Sequence, residues 1–224
     1  VIFFSGYWQT DTTAGLYVYE WDGINDNGYG TLGADGRMKP SWFRNLHTAF
    51  EDSLKYVRVE HFTVDDIDGD GRDEIIYAGN GSTNPNYGTT STTHEAYSED
   101  RFVIAGVSGD IGSEITPPVL NEEFAASPRD TDKDGVRENK FGGGSPQGAV
   151  VADTDGDGKK EAVCFAWNNL SCFIIEATGP DAYAQSDTGY KFADRDDWTL
   201  APTVADMNGD GKDEVYVGAF YKGI

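Results

Sequence analysis

The sequence predicts an all-β protein built from repeats, and three observations predict it. First, one unit recurs three times: an apolar approach, an acidic glycine-rich loop, then an apolar strand. The copies read FTVDDIDGDGRDEIIYAGNG (62–81), GAVVADTDGDGKKEAVCFAW (148–167) and PTVADMNGDGKDEVYVGAFY (202–221). Second, the chain of 224 residues holds 28 Gly and only 2 Met, a balance that favours turns and short strands over long helices. Third, the apolar segments are short and rich in β-branched and aromatic residues.

The elements follow in order. Strand signals cover GLYVYEW (15–21), YVRVEHFTV (56–64), RFVIAGV (101–107) and CFIIEA (172–177). The runs after the loops are IIYAG after Glu74, AVCFAW after Glu161 and VYVGAF after Glu214. Continuous apolar runs of that length suit strands buried on both faces. Residues 45–54 suit a short helix, and residues 79–100, rich in Gly, Ser, Thr and Asn, read as a long surface loop. The opening VIFFSGYW matches the strand that follows each loop. The repeats then run over about 1–74, 75–161 and 162–214, with 215–224 beginning a further unit. This register predicts a segment of a longer repeat protein, or one that neighbouring subunits complete.

Hydrophobic residues at 38%, with 13% aromatic, supply a core. The net charge of −22 repels phosphate backbones and anionic lipid, so neither nucleic acid nor a membrane is an expected partner. The longest apolar stretches, such as residues 1–4, are far too short to span a bilayer. Two cysteines do not make a disulfide scaffold. Cys164 and Cys172 flank the turn residues Asn168 and Asn169. A three-residue loop would set the two thiols opposite each other, within reach of a disulfide; a two-residue loop would set Cys164 opposite Phe173. His47, His61 and His94 lack metal-ligand spacing, no G-x-S-x-G motif is present, and GGGS (142–145) lacks the ending of a phosphate loop. These features leave no catalytic constellation. Trp8, Trp21, Trp42, Trp167 and Trp198 read as packing residues, with a sugar-binding platform as the alternative.

The acidic loops carry the chemistry. Counted from the first Asp, positions 1, 3, 5 and 9 are Asp66, Asp68, Asp70 and Glu74 in the first loop and Asp130, Asp132, Asp134 and Glu138 in the second. They are Asp153, Asp155, Asp157 and Glu161 in the third, and Asp206, Asn208, Asp210 and Glu214 in the fourth. Position 6 is always Gly, and position 7 offers a backbone carbonyl from Arg72, Val136, Lys159 or Lys212. Calcium takes about six to eight oxygens in a flexible shell, and alternate short carboxylates of a curled loop can supply them. An EF-hand would close its loop with an acid at position 12 and flank it with helices. Here position 12 is Tyr77, Phe141, Cys164 or Val217, and strands follow. A single such loop could be a metal-free acidic turn. Four in one register point to three to four bound Ca²⁺.

These loops resemble FG-GAP or VCBS-type repeats, the calcium loops of integrin-α-like β-propellers, most closely over 141–161 and 209–220. Segments such as GLYVYEWDG (15–23) look like secreted bacterial members of that class. The resemblance implies a partial β-propeller of about three FG-GAP-type blades, each of four strands. The family usually has Asp at position 9, where this chain has Glu each time. The longer arm is then expected to ligate through both oxygens, or Asp73 and Asp213 to contribute instead.

The functional expectation is an extracellular module, secreted or at a cell surface, that serves as a calcium-stabilised scaffold for structure, adhesion or display of a glycan or protein ligand. Its partners are calcium and further blades of the same chain or of neighbouring subunits. Two alternatives stand beside it: a polysaccharide-active enzyme resembling calcium-propeller rhamnogalacturonan lyases, and a lectin-like carbohydrate binder. Fold alone does not choose among them.

Overall fold

The computed structural model describes residues 2–5, 15–21, 31–45, 58–80, 101–109, 118–126, 146–166, 171–185, 190–191 and 199–219. These are all β, with no helix among the described residues. The strands are β1 (Ile2–Ser5), β2 (Gly15–Val18), β3 (Thr31–Leu32), β4 (Met38–Lys39), β5 (Trp42–Asn45), β6 (Arg58–Asp65), β7 (Glu74–Asn80) and β8 (Arg101–Ser108). They continue with β9 (Val119–Ala126), β10 (Pro146–Ala152), β11 (Glu161–Ala166), β12 (Ser171–Gly179), β13 (Ala182–Gln185), β14 (Tyr190–Lys191), β15 (Thr199–Ala205) and β16 (Glu214–Ala219). β7 runs on to Asn80, two residues into the segment read as loop; the rest of that segment and residues 46–57 lie outside the described residues.

Pairing is antiparallel and mostly between consecutive strands, with β3 and β4 a separate hairpin between β2 and β5. β1, β2 and β5 form one sheet; β6 to β9 form a four-stranded meander; β10 to β13 form the next, with β14 beside β12; β15 and β16 form the last. Each described acidic loop joins the first two strands of its sheet. The sheets therefore run over 58–126 and 146–191, and repeats counted loop to loop straddle two of them.

Three apolar clusters lie between successive sheets, and they define the architecture. Leu16 and Val18 meet Ile75, Tyr77, Val103 and Ala105. Ile76, Phe102 and Ile104 meet Ala149, Ala162, Cys164 and Ile175. Val163, Phe165 and Cys172 meet Val204, Val215 and Val217. Side chains of a strand alternate between faces. So β7 and β11 each feed two clusters, which explains their unbroken apolar runs. This is a partial β-propeller, blade stacked on blade.

β9 escaped the sequence reading for a physical reason. Its pairing with β8 shifts between Ile104 and Ala105, so Phe124 faces Ile104 while Glu122 faces Ala105, and Glu123 is the extra residue of a bulge. The bulge breaks the period-two pattern that would have marked VLNEEFAA as a strand. Cys164 stands opposite Phe173, not Cys172, and both thiols are free and buried. The cross-strand disulfide is thereby excluded, because the thiols point to opposite faces and lie in different clusters.

Candidate metal centres

The three described loops share one register. The residue before position 1 pairs with the Glu at position 9: Asp65 with Glu74, Ala152 with Glu161, Ala205 with Glu214. Within each loop the backbone aims the carboxylates. Asp66 takes the N–H of Gly69 on Oδ1 (2.8 Å) and of Gly71 on Oδ2 (3.0 Å). Asp153 does the same with Gly156 and Gly158 (2.7 and 3.0 Å), and Asp206 with Gly209 and Gly211 (2.7 and 3.0 Å). Position 3 accepts the N–H of position 5, and position 5 accepts that of position 7, from Arg72, Lys159 or Lys212. The glycines at positions 4 and 6 all have φ between 75° and 91°, a conformation that Gly adopts without a Cβ penalty. The glycine at position 4 is a shared feature that the 1-3-5-9 reading left out.

Whether these residues fit a cation can be tested on distances. Oxygens about 2.4 Å from one ion and on opposite sides of it lie about 4.8 Å apart. One ligand atom each from Asp153, Asp155, Asp157 and Glu161 lies within 4.8 Å of all the others. The same holds for Asp66, Asp68 and Asp70, and for Asp206, Asp210 and Glu214. Each group can share one ion. Asn208 donates its Nδ2 to Glu214 Oε1 (2.7 Å) and, like Asp68 and Asp155, accepts the position-5 N–H on Oδ1. Asp130, Asp132, Asp134, Val136 and Glu138 lie outside the described residues.

The Glu at position 9 uses one oxygen structurally. Its Oε2 accepts the N–H of position 2: Ile67 (3.0 Å), Thr154 (2.9 Å) or Met207 (2.9 Å). The longer arm thus spans back across the loop. Burial pushes the Glu74 carboxyl up to about 7, helped by the charges of Asp68, Glu123 and Asp66 and opposed by the Ile67 N–H. Burial also raises Glu161, against the hydrogen bonds from Thr154 and with the charges of Asp155 and Asp153. At the rim of the same loops Arg72 pairs with Asp70 (3.8 Å) and Lys159 with Asp157 (3.7 Å).

Contacts between blades converge on the same loops, and sequence spacing could not have found them. Asp68 Oδ2 accepts the N–H of Asp181 (2.6 Å), from the turn between β12 and β13. Asp181 sits at φ 52°, uncommon for a residue other than Gly. Tyr183 donates to Glu123 Oε2 (3.3 Å) beside it, and burial followed by the Asp181 charge raises the Glu123 carboxyl. Lys160, at position 8 of the third loop, pairs with Asp65. Asp213, at position 8 of the fourth, binds the backbone of Asp153 through its own N–H and Oδ2 (2.8 and 2.9 Å). Asp213 is therefore engaged between loops. Of the histidines, His61 is half-buried, its Cβ 3.0 Å from where a Cβ on Gly148 would fall; His47 and His94 lie outside the described residues. Trp42 packs against the first cluster and Trp21 is 54% exposed.

Comparison with known proteins agrees with this geometry. Residues 153–217, the third and fourth loops with the strands between them, match the FG-GAP-like repeat family. The match supports an FG-GAP-type repeat protein. No curated protein and no solved structure gives a significant match.

Proposed function

We propose that this chain is a calcium-stabilised propeller module, secreted or carried at a cell surface, that acts as a scaffold for structure, adhesion or ligand display. The observation that carries the reading is the convergence of carboxylates in three loops of one register. Many flexible oxygen ligands suit calcium better than magnesium, which demands near-ideal octahedral geometry and retains waters. Calcium, when bound, supplies the positive charge that offsets carboxylate repulsion within each loop. The chain's own residues do the rest: glycine N–H groups aim the acids, and Asp68, Asp153 and Asp213 tie the loops to neighbouring blades. Half of the converging carboxylates are exposed and only Glu161 among them is buried, which suits the weak sites, about 10⁻⁴–10⁻³ M, of extracellular modules.

A further blade, from the same chain or a neighbouring subunit, belongs on the sheet of β1, β2 and β5. Its face turned away from Leu16 and Val18 carries Tyr17 and Phe43, ring centroids 4.5 Å apart, with Phe43 38% exposed. Thermal unfolding with and without calcium tests the scaffold reading. Millimolar calcium should raise the midpoint by several degrees over excess chelator. An unchanged midpoint would count against it.

A further inference from the structure

We infer that Asp213 is a positioning residue for the neighbouring loop, so that cation binding at 153–161 and at 206–214 is coupled. The inference rests on the calcium reading above and adds a relation between two of its sites.

Asp153 is the first acid of its loop, and both its carboxylate oxygens are aimed by Gly156 and Gly158. Its backbone is held from the next blade: Asp213 takes its N–H on Oδ2 and gives an N–H to its carbonyl. Asp213 directly precedes Glu214, which stands in the carboxylate group of the fourth loop. The first acid of one loop and the closing acid of the next are therefore one peptide unit apart through a double hydrogen bond. The loops also touch. A Cβ on Gly156 would come within 3.0 Å of Lys212 Cγ and 3.5 Å of the Gly211 carbonyl oxygen. Drawing the acids of either loop together orders backbone that the other loop needs already in place, and that is how two sites come to share free energy.

The first and third loops lack this link. A cleft of about 660 Å³ lies between them, lined by Asp68, Gly69, Gly158, Lys159, Lys160 and Glu176. The position-8 residue there, Lys160, reaches only the side chain of Asp65, one residue before the first acid. Such a partly exposed ion pair transmits little. Coupling is thus expected between the third and fourth loops and not between the first and third.

The test is a calcium titration of the whole chain followed by the amide resonances of Gly71, Gly158 and Gly211. Each of these N–H groups donates to the first acid of its own loop and reports its occupancy. Asp206→Ala removes the first acid of the fourth loop. It should shift the Gly158 midpoint to higher calcium by about fivefold or more, the low end of couplings between sites, and leave Gly71 in place. In an Asp213→Ala background Asp206→Ala should add no further shift, whereas Asp213→Asn, which keeps an acceptor oxygen, should preserve the coupling. A Gly158 midpoint unmoved by Asp206→Ala overturns the coupling and leaves the calcium reading intact. If no glycine amide responds to calcium in the unmodified chain, both fall. Should Asp206→Ala unfold the last sheet, Asp213→Ala alone decides: it keeps every acid of the metal groups, and a Gly158 midpoint unchanged from that of the unmodified chain would overturn the inference.

Discussion

Asp213 and Asp153, sixty residues apart, hold each other by a reciprocal pair of hydrogen bonds, N–H to carbonyl at 2.8 Å and N–H to carboxylate at 2.9 Å. The pair links the acidic loops of adjacent blades, so blade stacking and loop geometry are one property. The bond to the Asp213 carboxylate is charge-assisted, a kind about twice as strong as a neutral one. Asp213→Ala should therefore lower the thermal midpoint even in chelator, by about 2–4 °C for each 1 kcal/mol lost. No change in chelator would mean that the pair carries no stability of its own.

The loops should differ in affinity. The third brings four carboxylates together, the first three, and the fourth three with a neutral amide, Asn208, at position 3. Calcium should fill 153–161 first. Asp155→Ala should weaken that site about tenfold or more, since it removes one charged ligand from a hard-cation shell. Site-resolved titration by glycine amide shifts checks the order; a fourth loop that fills before the third contradicts it.

Backbone conformation makes a separate prediction. Gly158 has φ 86° with open space around it, so Gly158→Ala meets only the left-handed penalty, about 1–2 kcal/mol. Gly156→Ala adds the approach to Lys212 and should cost more. Denaturant unfolding of the two variants gives the comparison. In the second loop Lys133 stands where the described loops have this glycine, so 130–138 is expected to be the weakest site.

The buried acids set a pH dependence. Glu74 has its carboxyl pushed up to about 7 in the folded chain from an ordinary 4.5, so the fold holds this proton more tightly than the unfolded chain does. Its contribution is full below pH 4.5 and is lost as pH rises through 7. Glu123 and Glu161 shift in the same direction. In chelator the thermal midpoint should fall across that window, and the gain from adding calcium should grow with pH. A midpoint that rises from pH 4.5 to 7 in chelator would contradict this.

What could be read from the sequence is what depends on local spacing. Alternate acids, the glycine at position 6 and the apolar run after Glu74 all act within a dozen residues, and the structure forms them as loops and strands. The same spacing left the pairing of Cys164 open until the register placed Phe173 opposite. Glu123, Asp181, Lys160 and Asp213 could not be read that way. Their roles depend on a bulge, on a left-handed turn and on how sheets dock, and none of these leaves a periodic trace. The position-4 glycines were visible, but their meaning needed the backbone angles.

The central claim is that these loops are cation sites, and counting ions tests it most directly. The purified chain, dialysed to equilibrium in millimolar calcium and assayed by elemental analysis, should retain three to four calcium ions per chain. Fewer than two would contradict the account.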